Sequence, residues 1–201
     1  DEPWRQAVNL MTAALPPDEG TAPDGAYPNA AALTADLRRL SAALDAVGAG
    51  RIAETDVAPV LRHVEVFGLH LAALDVRQNS AFYDRALAQL LTLAGVPAGA
   101  SYPDWDAERR HALMLRELAS TRPFAAPGTR LEGEAADAVG SLRVLAEHAD
   151  RHGTEGLGAL IVSMTRNADD LFAVYLFARE AGLMRQGPDG PWLPLTVVPL
   201  L

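Results

Sequence analysis

Two residue types are missing from the 201-residue chain: cysteine and lysine. Without cysteine there are no disulfides, no thiolate nucleophile and no cysteine-ligated zinc. This suits a cytoplasmic protein. Without lysine there is neither a Schiff-base lysine nor a P-loop lysine, and all 17 basic residues are arginine. Positive charge is scarce overall, since 26 acidic residues give a formal net charge of -9. A nucleic-acid binder needs a basic face, so nucleic acid is not an expected partner. No apolar run reaches the roughly 18 residues a membrane helix requires, so no membrane partner is expected. His63, His70, His111, His148 and His152 lack the spacing of a ligand motif such as His-Glu-x-x-His. They read as surface or packed side chains, and no metal site is expected within these residues. The first residues, Asp1-Glu2-Pro3-Trp4-Arg5, show no initiator Met and no signal peptide. Leu195 to Leu201 stop in an apolar, strand-like run. Both ends read as cut ends of a longer chain.

What is present is apolar enough for one sizeable core, or for part of a larger one, with 49% hydrophobic residues. From about Leu15 to Pro28 the chain is rich in proline, glycine and acidic residues, which predicts a connection. Leu33, Leu37, Leu40, Leu44 and Val47 then fall on one helical face. A second helix is expected from Thr55 or Asp56, with Pro59 in its first turn and Val57, Val60, Leu61 and Val64 inward. Residues 1–65 thus read as a helical lead-in.

The stretch from Val66 to Ser80 organises the rest of the chain. It starts apolar on both parities, which predicts a strand buried on both faces, and turns polar at Asp75, Arg77, Gln78 and Ser80. Polar groups where a buried strand meets a helix occupy the functional end of an α/β sheet. Asp75 and Arg77 share a parity, so a carboxylate could fix the guanidinium and leave donors free for an anion. The same residues fit a purely structural ion pair equally well.

Further helices are predicted after Asn79 or Ser80 (Phe82, Ala86, Leu90 and Leu93 inward), from Asp104 to Ser120, and from Gly133 to about Asp150. In the second of these, Trp105, Leu115 and Leu118 read as inward and Arg109 and Arg110 as solvated; Pro123 and Pro127 mark a break after it. Val139, Leu142, Val144 and Leu145 line the third. A second strand, Ala159 to Met164, also turns polar, at Thr165-Arg166-Asn167. Ser163 could donate a hydrogen bond there. Asn167 and Asp170 form a candidate N-cap pair for a helix that buries Leu171, Val174, Tyr175 and Ala178 and stops at Gly182. Asp169 and Asp170 read as partners of that helix's dipole. A turn-rich insertion at Gly187 to Gly190 precedes a third strand, Leu193 to Pro199. Strands joined by helical crossovers are normally parallel, so their C-terminal ends share one rim. The fold class expected is α/β, predominantly helical.

Particular residues then carry a family resemblance. Phe67-Gly68-Leu69 with Leu74-Asp75-Val76-Arg77-Gln78 resembles the phosphoenolpyruvate carboxylase motif Phe-Gly followed by Leu-Asp-Ile-Arg-Gln-Glu-Ser. Ile161 to Thr165, Asp170-Leu171 and Ala173-Val174 resemble that family's Ile-Ser-Met strand and the Ser-Asp-Val-Leu-Ala-Val helix. Val198-Pro199-Leu200 resembles the start of its Pro-Leu-Phe-Glu-Thr strand. Weaker landmarks are Glu2 to Arg5, Tyr102, Trp105, Glu117-Leu118, Arg122-Pro123 and Glu180 to Leu183.

The resemblance implies a partial (β/α)8 barrel with extra helices, its first part spanning 66–201. It implies a lyase that joins phosphoenolpyruvate to bicarbonate, giving phosphate and oxaloacetate, the four-carbon acid that feeds the tricarboxylic acid cycle. It also implies Mg²⁺ or Mn²⁺ in the whole enzyme, none of it bound by this segment, and an allosteric homo-oligomer, a tetramer. Arg77 inherits contact with the substrate phosphate, supported by Asp75, Gln78 and Ser163. The family's metal-binding glutamate would follow Leu201, so the segment alone is expected to be inactive. Four positions depart from the pattern: Asn79 for glutamate, Tyr83 for histidine, Asp169 for serine and Leu201 for phenylalanine. The alternative from another class is a non-catalytic helical scaffold or partner-binding module.

Overall fold

The computed structural model describes residues 2–17, 24–126, 128–188 and 190–201. Parts of three expected features lie outside them: 18–23 of the Leu15–Pro28 connection, Pro127, and Asp189 of the Gly187–Gly190 turn. The chain divides into two compact units, 1–73 and 74–201.

In the first unit, α1 (Pro3–Ala13) carries proline in its first turn, where a missing N–H costs nothing. α2 (Ala30–Ala46) starts at Asn29, whose side-chain oxygen accepts the Ala32 N–H at 3.0 Å. Leu33, Leu37, Leu40 and Leu44 are buried as their spacing predicts, while Val47 lies past the last turn and is exposed. The second expected helix starts earlier than Thr55. α3 (Gly50–Ile52) runs through a π-helical turn, Ala53–Val57, into α4 (Ala58–Phe67). Thr55 and Asp56 are therefore not caps. The Thr55 hydroxyl donates to the Arg51 carbonyl at 2.9 Å, back along the helix. The wide turn lies just ahead of Pro59, a residue that can neither donate nor fit a regular interior turn. The extra residue also rotates the inward face, so Leu61 and Val64 pack and Val60 is exposed.

The strand expected from Val66 is not there. Val66 and Phe67 finish α4, Gly68 caps it at φ 59°, and turns lead to Ala72. A short apolar run is ambiguous between helix end and strand, and here the helix of Val57, Leu61 and Val64 simply continues. The strand proper, β1, spans Leu74–Asn79, so Asp75, Arg77 and Gln78 lie within it rather than after it. It is not buried on both faces: Leu74, Asp75 and Arg77 are exposed.

The second unit is built on a three-stranded parallel sheet in the order β1-β2-β5, with β2 at Leu157–Ser163 and β5 at Val197–Leu200. Around it lie α5 (Ser80–Leu93), a 3₁₀ segment (Gly99–Asp104), α6 (Ala107–Leu118), α7 (Gly133–His152) and α8 (Ala168–Ala181). A separate hairpin, β3 (Arg185–Gly187) with β4 (Gly190–Trp192), occupies the expected turn region. The third strand is shorter than Leu193–Pro199 because Leu193 and Leu195 pack into the core before pairing begins. Helical residues far outnumber strand residues, and among the described residues the sheet does not close into a barrel.

Val76, Leu160, Val162 and Val197 join Leu87, Leu91, Leu142, Val174 and Phe177 in one core, so helices cover one face of the sheet. Several expected inward residues differ. On α5 the buried stripe is Tyr83, Ala86, Leu87, Leu90 and Leu91, and Leu93 is exposed. Leu115 and Val144 are also exposed, and Leu176 and Phe177 join Val174 on α8. α5 is capped by Asn79, whose side-chain oxygen accepts the Phe82 N–H at 2.7 Å. Asn79→Ala is expected to cost about 1 kcal/mol and lower Tm by about 2–4 °C, measured by thermal unfolding. Gly182 ends α8 in the left-handed conformation at φ 76°.

Candidate active site at the sheet rim

Because the strands are parallel, Asn79, Ser163 and Leu200 form the last paired row, at one common rim. Two rows before it, Arg77 pairs with Ile161 and Ile161 with Val198. Val76 and Leu160 face the helices, so Arg77, Ile161 and Val198 face the other way. Arg77 is exposed on this face and makes no hydrogen bond or ion pair with any described residue.

Asp75 does not hold Arg77. Its Oδ1 instead accepts the N–H of Ala159 on β2 at 2.7 Å. Neither half of the expected pair is present: there is no ion pair, and the carboxylate serves the backbone of the next strand. Gln78 stands on the opposite face by alternation. Its Oε1 accepts the Asn79 N–H at 2.9 Å. Ser163 is buried on Arg77's side of the sheet, two rows nearer the rim, with its hydroxyl 3.4 Å from the Gln78 carbonyl. The structure therefore brings Arg77 and Ser163 to one face and gives Asp75 and Gln78 backbone tasks.

The loop after β2 is fixed atom by atom. Met164 adopts φ 56°, a left-handed conformation that costs a non-glycine residue about 1–2 kcal/mol. The Ser80 hydroxyl donates to its carbonyl at 2.7 Å, and the Thr165 N–H donates to the Leu200 carbonyl at 3.1 Å. One rim thus ties together the ends of all three strands.

Beside it sits a charge cluster that sequence reasoning missed. Buried Asp84 of α5 accepts from Arg110 at 3.1 Å and from Arg166 at 2.8 Å. Arg166 also donates to Asp170 through Nε at 3.1 Å and Nη2 at 2.6 Å, and through its backbone N–H at 2.7 Å. Arg110 reaches the Trp105 and Pro103 carbonyls as well. It is therefore half-buried and paired rather than solvated. Arg109 stacks on Trp105, 3.5 Å from the ring centroid. Burial alone would raise the Asp170 carboxyl, but the bonds from Arg166 outweigh it and hold the group below its ordinary value. The Arg166 guanidinium is raised, chiefly by its hydrogen bond to Asp170. Asp169 is more than a dipole partner: its Oδ1 lies 2.8 Å from His111 Nδ1. Asn167 caps α8 through the Asp169 N–H at 3.0 Å. One signal could have found this cluster. Asp84 falls within the buried stripe of α5, and an acid there requires a cation.

The departures from the resembled pattern have structural uses. Asn79 caps α5, Asp169 faces His111, and Tyr83 packs against Phe177 with ring centroids 5.4 Å apart. Burial pushes the Tyr83 hydroxyl up to about 12. Leu201 is exposed beyond β5.

Among the described residues no group of three His, Cys, Asp or Glu side chains could hold a metal ion. The acids nearest the rim are committed: Asp84 and Asp170 to arginine, Asp169 to His111. A divalent cation therefore finds no ligand set here. No described helix is long and apolar enough to cross a membrane.

Comparison with known proteins gives a consistent answer. The family model described as phosphoenolpyruvate carboxylase matches residues 5–201. A phosphoenolpyruvate carboxylase of Nocardia farcinica is 35% identical, covering 100% of this chain and 23% of its own length. One from Thermus thermophilus is 37% identical over 99% of this chain and 21% of its own, and one from Aromatoleum aromaticum 33% over 100% and 23%. The chain thus spans less than a quarter of the length of these relatives.

Proposed function

Because the chain belongs to the phosphoenolpyruvate carboxylase family, we propose that it supplies the phosphate-gripping arginine of such an enzyme, and that the whole protein carboxylates phosphoenolpyruvate. The observation that carries this reading is Arg77. Among the arginines at this end of the sheet, Arg110 and Arg166 are neutralised by carboxylates, whereas the exposed Arg77 gives none of its donors to a described residue. A planar cation with five donors matches a phosphoryl group that spreads charge during transfer.

In the reaction proposed, a bicarbonate oxygen attacks phosphorus and the bond to the enol oxygen breaks. This gives carboxyphosphate and the enolate of pyruvate. Carboxyphosphate releases carbon dioxide and phosphate, which keeps the bicarbonate proton. The enolate carbon then bonds to carbon dioxide, forming oxaloacetate. Arg77 holds the phosphoryl oxygens throughout. Mg²⁺ or Mn²⁺, if used, is held by residues outside this chain and would stabilise the enolate.

The three parallel strands form the first part of a (β/α)8 barrel, with Arg77 directed into its interior. Residues 1–65 are the helical lead-in. The whole protein is cytoplasmic and homo-oligomeric. A coupled assay for oxaloacetate tests the reading on a polypeptide of the relatives' length carrying this segment. Turnover that needs both phosphoenolpyruvate and bicarbonate is expected. No turnover would leave the scaffold alternative.

A further inference from the structure

The pairing of β1 with β2 contains a one-residue slip. Leu74 pairs with Leu157, but Val76 pairs with Leu160. Asp75 therefore stands opposite two residues, Gly158 and Ala159, as in a β-bulge. A bulge leaves an extra residue unpaired in the ladder. Here the Ala159 N–H is taken by Asp75 Oδ1 at 2.7 Å. The slip also sets which face each later residue occupies, because a one-residue shift exchanges the faces. In the register before the slip, Leu160 would lie opposite Arg77. After it, Ile161 does, and Leu160 and Val162 go to the core.

Gly158 is what lets the carboxylate reach. A Cβ at this position would collide with Asp75 Oδ1 and lie 3.1 Å from both the Asp75 nitrogen and the Leu74 carbonyl carbon. The backbone can yield little, so the carboxylate would have to leave. We infer that Gly158 and Asp75 are positioning residues that lock the β1–β2 register and thereby present Arg77 to the phosphate. The inference rests on the reading of Arg77 above. Neither residue touches substrate.

The test uses a polypeptide of the relatives' length carrying Gly158→Ala, Asp75→Ala, Asp75→Asn, the Gly158→Ala/Asp75→Ala pair or Arg77→Ala. Each is checked for folding by thermal melting, and KM and kcat are measured separately. Displacing a reacting contact by about 1 Å can cost about 100-fold. Gly158→Ala and Asp75→Ala are expected to lower kcat/KM for phosphoenolpyruvate about 10- to 100-fold, with KM raised. Asp75→Asn keeps an oxygen for the Ala159 N–H and stays within about 3-fold. The pair is no worse than the poorer single variant, since both act through one bond. If Gly158→Ala does not fold, Asp75→Ala against Asp75→Asn decides. Folded alanine variants with unchanged KM beside an inactive Arg77→Ala would overturn the register lock alone. Equal losses in Asp75→Asn and Asp75→Ala would also overturn it. A fully active Arg77→Ala would overturn the arginine assignment and this inference with it.

Discussion

Arg77→Ala is expected to lower kcat/KM for phosphoenolpyruvate by about 1,000-fold or more in a polypeptide of the relatives' length. Removing one donor from a developing oxyanion costs about 100- to 1,000-fold in known enzymes. A guanidinium that binds phosphate through two N–H groups supplies two such donors. Arg77→Lys should restore only part of the loss, because an ammonium is a point charge without the planar fork. The stability of the variants should be almost unchanged. Arg77 is exposed and bonds to no described residue, and surface substitutions of that kind usually stay within about 0.5 kcal/mol. Large kinetic loss with an unchanged melting curve is the expected combination.

Asp84→Ala should do the reverse: unfold the second unit readily, whatever it does to turnover. Asp84 is the shared acceptor of Arg110 and Arg166, and the Arg110–Asp84 pair is nearly solvent-free, with 11% and 9% of the side chains exposed. Breaking a buried pair on one side costs about 3–5 kcal/mol, since the remaining charge keeps its desolvation penalty. The expected fall in Tm is about 6–20 °C. Arg166 contributes less of this, being half-exposed and still held by Asp170. Asp84→Leu combined with Arg110→Met should recover much of the loss, because an apolar pair leaves no stranded charge.

The same cluster predicts acid sensitivity. The Asp170 carboxyl is held below its ordinary value in the folded state. Its contribution is therefore complete above the unfolded carboxyl value of about 3.9 and is lost as pH falls through the lower folded value. Melting temperature should decline more steeply below about pH 4 in the unsubstituted protein than in Asp170→Asn. Parallel curves would contradict the assignment.

Local signals were legible from sequence where a residue acts on its neighbours. The leucine stripe of α2, the caps Asn79 and Asn167, and the stop at Gly182 all stand where spacing placed them. The parallel order of the strands followed from their helical crossovers. The start of β1 was not legible, because an apolar run fits a helix end as well as a strand. The π-helical turn before Pro59 was hidden because proline also suits a first turn. Arg110 and Arg166 lie 26 and 82 residues from the acid they share, beyond any periodicity. The bulge at Gly158 leaves no trace in composition, yet it changes what Asp75 does.

The claim that Arg77 grips the phosphate of a three-carbon acid is tested most directly by equilibrium binding of phospholactate and lactate. Phospholactate keeps the phosphate but lacks the enol, so no reaction intervenes. The account predicts that Arg77→Ala weakens phospholactate binding about 100-fold or more, as loss of a charge-assisted bidentate contact should, and leaves lactate binding unchanged. Equal phospholactate affinity with and without the guanidinium would contradict it.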